Sequence, residues 1–340
     1  MIDNSTIMEG HSRRQRRYII ITGILLILVV VIACFMMIYG NTIYMPKEII
    51  RILKSDEMKG AAFTIKTLRM PRMLAAVLTG VAFGVAGNTF QKLFGNPLAS
   101  PDVIGVTSGA SVAAVFGILV LRLNGDIISW MAVISGLAVS GIIYMLSRGE
   151  KFSNGRIILT GIGMQAFLNS LISWMLLKAA EYDVSSALRW LSGSLNGVTM
   201  NQIPRLAIAV CFSVGLIIAL NRHLQILQLG DSHATVLGVR KGAVRVGLML
   251  CSLILIAFAT SVTGPIASVA FLSGPIASGI VGHGRNNTIA SALTGAILVM
   301  SSDIIGQYAL PSRYPVGVVT GILGAPYLIY LLIRINRRSE

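Results

Sequence analysis

Apolar stretches of about 20 residues recur from one end of this 340-residue chain to the other, separated by short polar connections. Roughly 20 such residues cross the hydrocarbon core of a bilayer as one helix, because a helix satisfies its own backbone polar groups where no water can. The runs predict spans near 18–40, 70–91, 103–122, 127–147, 157–178, 203–221, 244–263, 266–282, 288–309 and 315–334. The expected fold is therefore an all-α polytopic membrane protein of about ten transmembrane helices. Charged residues make up 12% of the chain, about half the fraction found in a soluble domain. No polar segment is long enough to fold separately, so one membrane domain over 18–335 is expected between an N-terminal tail, 1–17, and a C-terminal tail, 336–340.

The formal charge of +15 does not point to nucleic acid, because the basic residues lie between apolar runs rather than along one face with interleaved aromatics. It reads instead as orientation. With the N-terminus inside, the cytoplasmic connections carry Lys92, then Arg148, Lys151 and Arg156, then Arg222, Arg240, Lys241 and Arg245, then Arg285. Arg334, Arg337 and Arg338 follow the last span, whereas the short outer turns carry little: Arg122, Arg313 and a few residues around 178–205. The positive-inside rule places both termini in the cytoplasm. The outer loop 41–69 runs against this pattern with Lys47, Arg51, Lys54, Lys59 and Lys66, diluted by Glu48, Asp56 and Glu57. Arg13, Arg14, Arg16 and Arg17 resemble the start of a signal peptide, but Tyr18 to Tyr39 is longer than a usual signal core and has no clear cleavage site, so a retained first helix is expected.

Transport needs either a coupling ion or a source of ATP, and the predicted spans offer little for the first. No Glu falls inside one, and His11, His223, His233 and His283 fall in cytoplasmic segments. Asp303 is the acidic candidate, near the outer end of the ninth span. It either contacts substrate, pairs with a basic group at the outer mouth, or sits half-solvated at the interface, the reading preferred here. The chain has no Gly-Lys dipeptide and hence no Gly-x-x-x-x-Gly-Lys phosphate cradle, so ATP would have to bind another subunit. Cys34, Cys211 and Cys251 stand alone in apolar runs and read as inert core cysteines.

Glycine and proline mark irregular backbone at 95–102, at Gly264-Pro265 and at Gly274-Pro275, where helices are expected to break or kink. Broken helices at membrane depth are tolerated where they line a cavity or are buried in protein, so Gly264, Pro265, Gly274 and Pro275 are translocation-path candidates, with packing kinks as the alternative. Residues 184–197 read as a short amphipathic helix on the outer surface, or as a plain loop. The cytoplasmic segment 225–245 holds helix formers between two Leu-Gly stops and reads as two short helices joined by a turn, a rigid knob for a partner to grip. Arg69-Met70-Pro71-Arg72 opens the second span, with Pro71 suited to a helix's first turn. Its two guanidiniums suit either carboxylates of a docking protein or interfacial anchoring.

These residues resemble the FecCD family, the permeases of importers for ferric siderophores, haem and vitamin B12. The resemblance spans nearly the whole chain. It rests on Arg69-Met70-Pro71-Arg72, on Gly87 through Gln91 leading to Asn96-Pro97-Leu98-Ala99-Ser100-Pro101-Asp102, and on Gly105 with Gly109-Ala110. Trp190-Leu191-Ser192-Gly193-Ser194-Leu195, the Leu-Gly segment 229–238, Gly264-Pro265-Ile266, Asp303, Pro315-Val316-Gly317 and Gly324-Ala325-Pro326 complete it. It implies the type II architecture of ATP-binding cassette importers: two ten-helix permease subunits, identical or different, with the path between them, two ATPase subunits beneath and an extracytoplasmic binding protein above. Carried over by position, Leu229, Gly230, Ala234, Leu237 and Gly238 become the ATPase coupling segment, and Arg69, Arg72 and Arg313 become docking residues. The family often shows Pro-His-Ile-Ala-Arg or a near variant where this chain has Gly274-Pro275-Ile276-Ala277-Ser278, an Arg where it has Gln307, and an acidic residue just before Pro-Val-Gly, where Arg313 and Tyr314 stand here. These departures resemble the branch that carries catecholate siderophores.

The expectation is a non-enzymatic permease of the cytoplasmic membrane, embedded in lipid, without cofactor, metal or nucleic acid. It moves a ferric siderophore by alternating access, and an ion-coupled secondary transporter is the alternative.

Overall fold

The computed structural model describes residues 4–54, 59–123, 125–147, 154–282 and 286–336. Its helices in chain order are α1 (Asn4–Ile38), α2 (Pro46–Lys54), α3 (Lys59–Ala62), α4 (Met70–Phe94), α5 (Val106–Leu119), α6 (Asp126–Leu146) and α7 (Asn154–Lys178). They continue with α8 (Glu181–Leu191), α9 (Ile203–Leu227), α10 (Asp231–Val236), α11 (Lys241–Thr263), α12 (Val269–Val281), α13 (Thr288–Ile304) and α14 (Val316–Asn336). Among the described residues eight helices are long and apolar enough to cross a membrane, and α5 and α12 are shorter apolar helices, so each of the ten predicted spans has its helix. Arg148, Lys151, Asp56, Glu57, His283, Arg285, Arg337 and Arg338 lie outside the described residues.

The short helices α5 and α12 are short for a visible reason. Each is preceded by partly buried irregular backbone, a 3-10 turn at Pro101–Ile104 before α5, with Pro101 and Ile104 buried, and the stretch 264–268 before α12, with Gly264 and Ile266 buried. Gly105 and Ser268 take left-handed φ values of 72° and 69° to turn the chain into the two helices. Non-helical backbone at this depth survives where protein rather than lipid surrounds it.

At the centre stands α4, packed by α9, α11, α12 and α13. One row of small residues lets the backbones touch. A Cβ on Gly84 would lie 2.2 Å from the Ser291 carbonyl oxygen, and one on Gly87 would lie 1.6 Å from that of Ala270. These separations are far inside van der Waals contact, so the glycines set the helix spacing in a solvent that supplies no hydrophobic drive between helices. Gly84→Leu is expected to separate α4 from α13 and abolish recovery of folded permease, read as loss of the monodisperse peak in detergent size-exclusion chromatography. A peak of wild-type height would refute this packing account.

Four local expectations change. The second span begins ten residues early, because helix α3 and a π segment at Phe63–Arg69 run straight into α4. Pro71 therefore follows the π turn rather than opening a helix, where its missing N–H leaves a gap that the wider i→i−5 bonding around Met70 and Ile65 accommodates. The surface helix is α8, ending at Leu191, because Gly193 and Gly197 adopt left-handed φ. The segment 225–245 holds one short helix, α10, since Gln225–Leu227 continue α9 and Lys241–Arg245 begin α11. Cys34 and Cys211 lie on the apolar outer surface, and Cys251 alone of the three is buried.

Candidate translocation and coupling sites

The end of the bundle that the charge distribution assigns to the outside gathers Arg69, Arg72 and Arg313 around one cavity of about 550 Å³. Arg72 reaches from the start of α4 to Asp303 on α13 and donates twice, Nε to Oδ2 at 2.8 Å and Nη2 to Oδ1 at 2.7 Å. Asp303 is only 2% exposed, so the half-solvated reading is corrected: it is a buried carboxylate paired with a basic group. The Gln307 amide donates to the same carboxylate at 2.8 Å, and the remaining Arg72 amine meets the Asn196 side-chain oxygen. The second π segment, Ile305–Ala309, carries Gln307. Both π segments thus flank this pair, a position where such wide turns often serve function.

Arg69 works differently. Its guanidinium donates to the carbonyls of Met37, Ile38 and Thr42 and stacks 5.1 Å from the Tyr44 ring centroid, tying the loop after α1 to the start of α4. Gly40 leaves room for that guanidinium, which a Cβ there would displace. Arg313 makes a longer bond, 3.2 Å, to the Asn41 side-chain oxygen and stays exposed.

Just below the mouth, Gly264 and Pro265 meet residues far away in sequence. A Cβ on Gly264 would lie 2.2 Å from the Trp190 carbonyl oxygen, one on Gly193 2.1 Å from that of Pro265, and one on Gly317 2.2 Å from that of Ser192. The Ser194 amide donates to the Thr263 carbonyl at 2.6 Å, and the Gly317 amide to the Gly193 carbonyl at 3.0 Å. Three separate glycine motifs are therefore one backbone junction that joins the ends of α8, α11 and α14.

Gly274 and Pro275 do not break their helix, so of the expected break or kink the break is not found. α12 runs through them, because the carbonyl that Pro275 leaves without a partner, Phe271, accepts from the Gln91 amide at 2.9 Å. Gly274 makes room for that amide: a Cβ there would lie 2.0 Å from Gln91 Oε1. Both residues line a second cavity at the opposite, inner end of the bundle.

At the same inner end α10 projects between α9 and α11. Asp231 opens it and accepts from Arg245 of α11 at 2.6 Å, and Gly230 and Gly238 bracket it with φ of 105° and 72°. Ala234 has no exposed surface and belongs to the main apolar core, so it anchors α10 rather than facing a partner. The outward surface is Leu229, Val236 and Leu237, exposed by 62%, 87% and 59%. Val236 was absent from the sequence-derived set. Within a helix of a single turn and a half, the burial of Ala234 and Val239 decides which way Val236 points. Gln91, Asn196 and Gln307 were likewise not singled out as site residues, since an amide's partner across the bundle leaves no local pattern.

Comparison with known proteins matches residues 25–334 to the FecCD transport family. The ferric enterobactin transport system permease protein FepG of Escherichia coli (strain K12) is 34% identical over 293 residues, covering 86% of this chain and 89% of its own length. The achromobactin transport system permease protein CbrC of Dickeya dadantii (strain 3937) is 36% identical over 299 residues, covering 87% and 86%. Among solved structures, an inward-facing metal-chelate type ABC transporter superimposes with a TM-score of 0.84 over 93% of this chain and all of its own, at 22% identity, a likeness of fold.

Proposed function

The chain belongs to the FecCD transport family and is a permease subunit of an ATP-binding cassette importer, and we propose that its cargo is a ferric siderophore moved by alternating access. The cargo assignment draws on the names of its relatives, which carry ferric enterobactin and achromobactin. Two ATPase subunits sit on the inner end, an extracytoplasmic binding protein on the outer end and a second permease subunit alongside. Both termini are cytoplasmic, with 1–17 and 336–340 as tails.

The observation that carries this reading is the pairing of two features at opposite ends of one rigid bundle. The outer end holds a cavity lined by three arginines, and the inner end holds the apolar projection Leu229–Val236–Leu237. Of these arginines the exposed Arg313 suits a carboxylate of a docking protein, Arg69 and Arg72 being bonded within the bundle, and exposed apolar side chains on a short fixed helix suit a partner's groove. Gly264 and Pro265 belong to the translocation path as the junction that joins α8, α11 and α14, and Gly274 and Pro275 as the lining of the inner cavity. A second permease subunit is supported by α7, which leaves the Asn169 amide exposed within its span, while the exposed Ser170 and Ser173 hydroxyls bond back to the carbonyls of Ala166 and Asn169. Polar surface of this kind is costly against lipid and suits a partner or a water-filled path.

Reconstitution into liposomes tests the reading. Uptake of radioactive iron as a siderophore chelate is expected only when the ATPase, ATP and the binding protein accompany the permease. Uptake by this chain alone, driven by an ion gradient, would establish the secondary-transporter alternative instead.

A further inference from the structure

The inner cavity, about 430 Å³, is lined by Asn88, Gln91 and Lys92 of α4, by the turn after it, by Gln228, by Ser278 of α12 and by Tyr327 of α14. Among the described residues no Asp or Glu lines it, and Lys92 is the one cation. The ammonium's hydrogen-bond partner among the described residues is the neutral side-chain oxygen of Asn286, at 3.3 Å. The Ser278 hydroxyl accepts from the Asn287 amide at 2.9 Å, which leaves its own proton to donate into the cavity.

Lys92 is not placed to meet lipid headgroups. Its helix is the central one, enclosed by α9, α11, α12 and α13, and Lys92 itself is partly buried. An ammonium that meets no carboxylate among the described residues, in a half-buried, amide- and hydroxyl-lined cavity, carries a positive potential that solvent screens weakly. The cavity is also built to stay open: Gly95, Gly274 and Gly279 bring no side chain into it, and the Gln91–Phe271 bond holds α12 against α4 beside Pro275.

We propose that this cavity is an anion-binding station at the exit of the transport path, where Lys92 and Ser278 receive carboxylate or phenolate oxygens of the cargo. This rests on the importer reading above and adds charge selectivity to it: the permease favours anionic iron chelates. Lys92 acts as a specificity-determining residue, through a charge-assisted hydrogen bond that a neutral chelate makes less well.

The test uses the complete importer in liposomes of phosphatidylcholine alone. Uptake is compared for two chelates of iron(III), an anionic tris-catecholate and an uncharged tris-hydroxamate, in wild type, Lys92→Gln and Lys92→Arg. Lys92→Gln is expected to lower uptake of the anionic chelate about tenfold relative to the uncharged one, the size of one charge-assisted hydrogen bond. Lys92→Arg is expected to restore the preference. Equal loss for both chelates, failure of arginine to rescue, or wild-type uptake of the uncharged chelate alone would overturn the proposal while leaving the importer reading intact. An effect seen only after phosphatidylglycerol is added would assign the site to a lipid headgroup and overturn it too. A wild-type importer that moves neither chelate would remove both the importer reading and this one.

Discussion

Replacing Asp303 with alanine is expected to destabilise the permease by about 3 kcal/mol, the largest single effect available at the outer mouth. Asp303 is 2% exposed and its partner Arg72 19%, so removing the carboxylate strands a guanidinium that little water can reach. Gln307 and Asn196 remain beside it, but both are neutral and cannot replace a bidentate counter-charge. The double variant Arg72→Met with Asp303→Leu should recover most of the loss, because two apolar side chains of similar bulk need no partner. Thermal unfolding of the purified permease in nanodiscs measures both. Asp303→Ala with the melting temperature of wild type would show that the pair contributes nothing. The resemblance makes Arg72 a docking residue, and the geometry makes it first a clamp between α4 and α13. Arg72→Met in the Asp303→Leu background separates the two roles, since a docking role predicts weaker capture of the binding protein even when stability has returned.

The second large effect lies at the inner end. Val236→Asp is expected to weaken ATPase association at least about a hundredfold, roughly 3 kcal/mol, because it puts a charge at the centre of the apolar surface formed with Leu229 and Leu237. Val236 touches the core least of these three, so the fold should be unaffected. Ala234→Asp is expected to behave differently. Ala234 is fully buried, so a carboxylate there detaches α10 from the core and lowers stability along with association. Co-purification in mild detergent, paired with size-exclusion profiles, distinguishes the two. Retained association of both Val236→Asp and Leu237→Asp would remove α10 from the coupling role.

The distance between what was legible and what was not follows the range of the interactions. Ten spans could be placed because each is set by its own run of apolar residues against the thickness of a bilayer. Pro275 reads in the sequence as a break or a kink, and which of them follows depends on whether another group takes the freed carbonyl. Gln91, on a helix 180 residues away, takes it. Asp303 was misread as half-solvated because its burial is decided by Arg72, 231 positions earlier.

By itself, then, the sequence determined the helices, their number and the charge asymmetry that orients them, since these depend on composition within about 20 residues and on the solvent. The pattern of glycine motifs was also visible, without any sign that Gly193, Gly264 and Gly317 are a single junction. Tertiary structure alone decided the pairings across the bundle, the inward turn of Ala234 and outward turn of Val236, and the surroundings of Lys92, acid-free among the described residues. Those depend on which helices lie side by side, and neither hydropathy nor spacing along the chain carries that information.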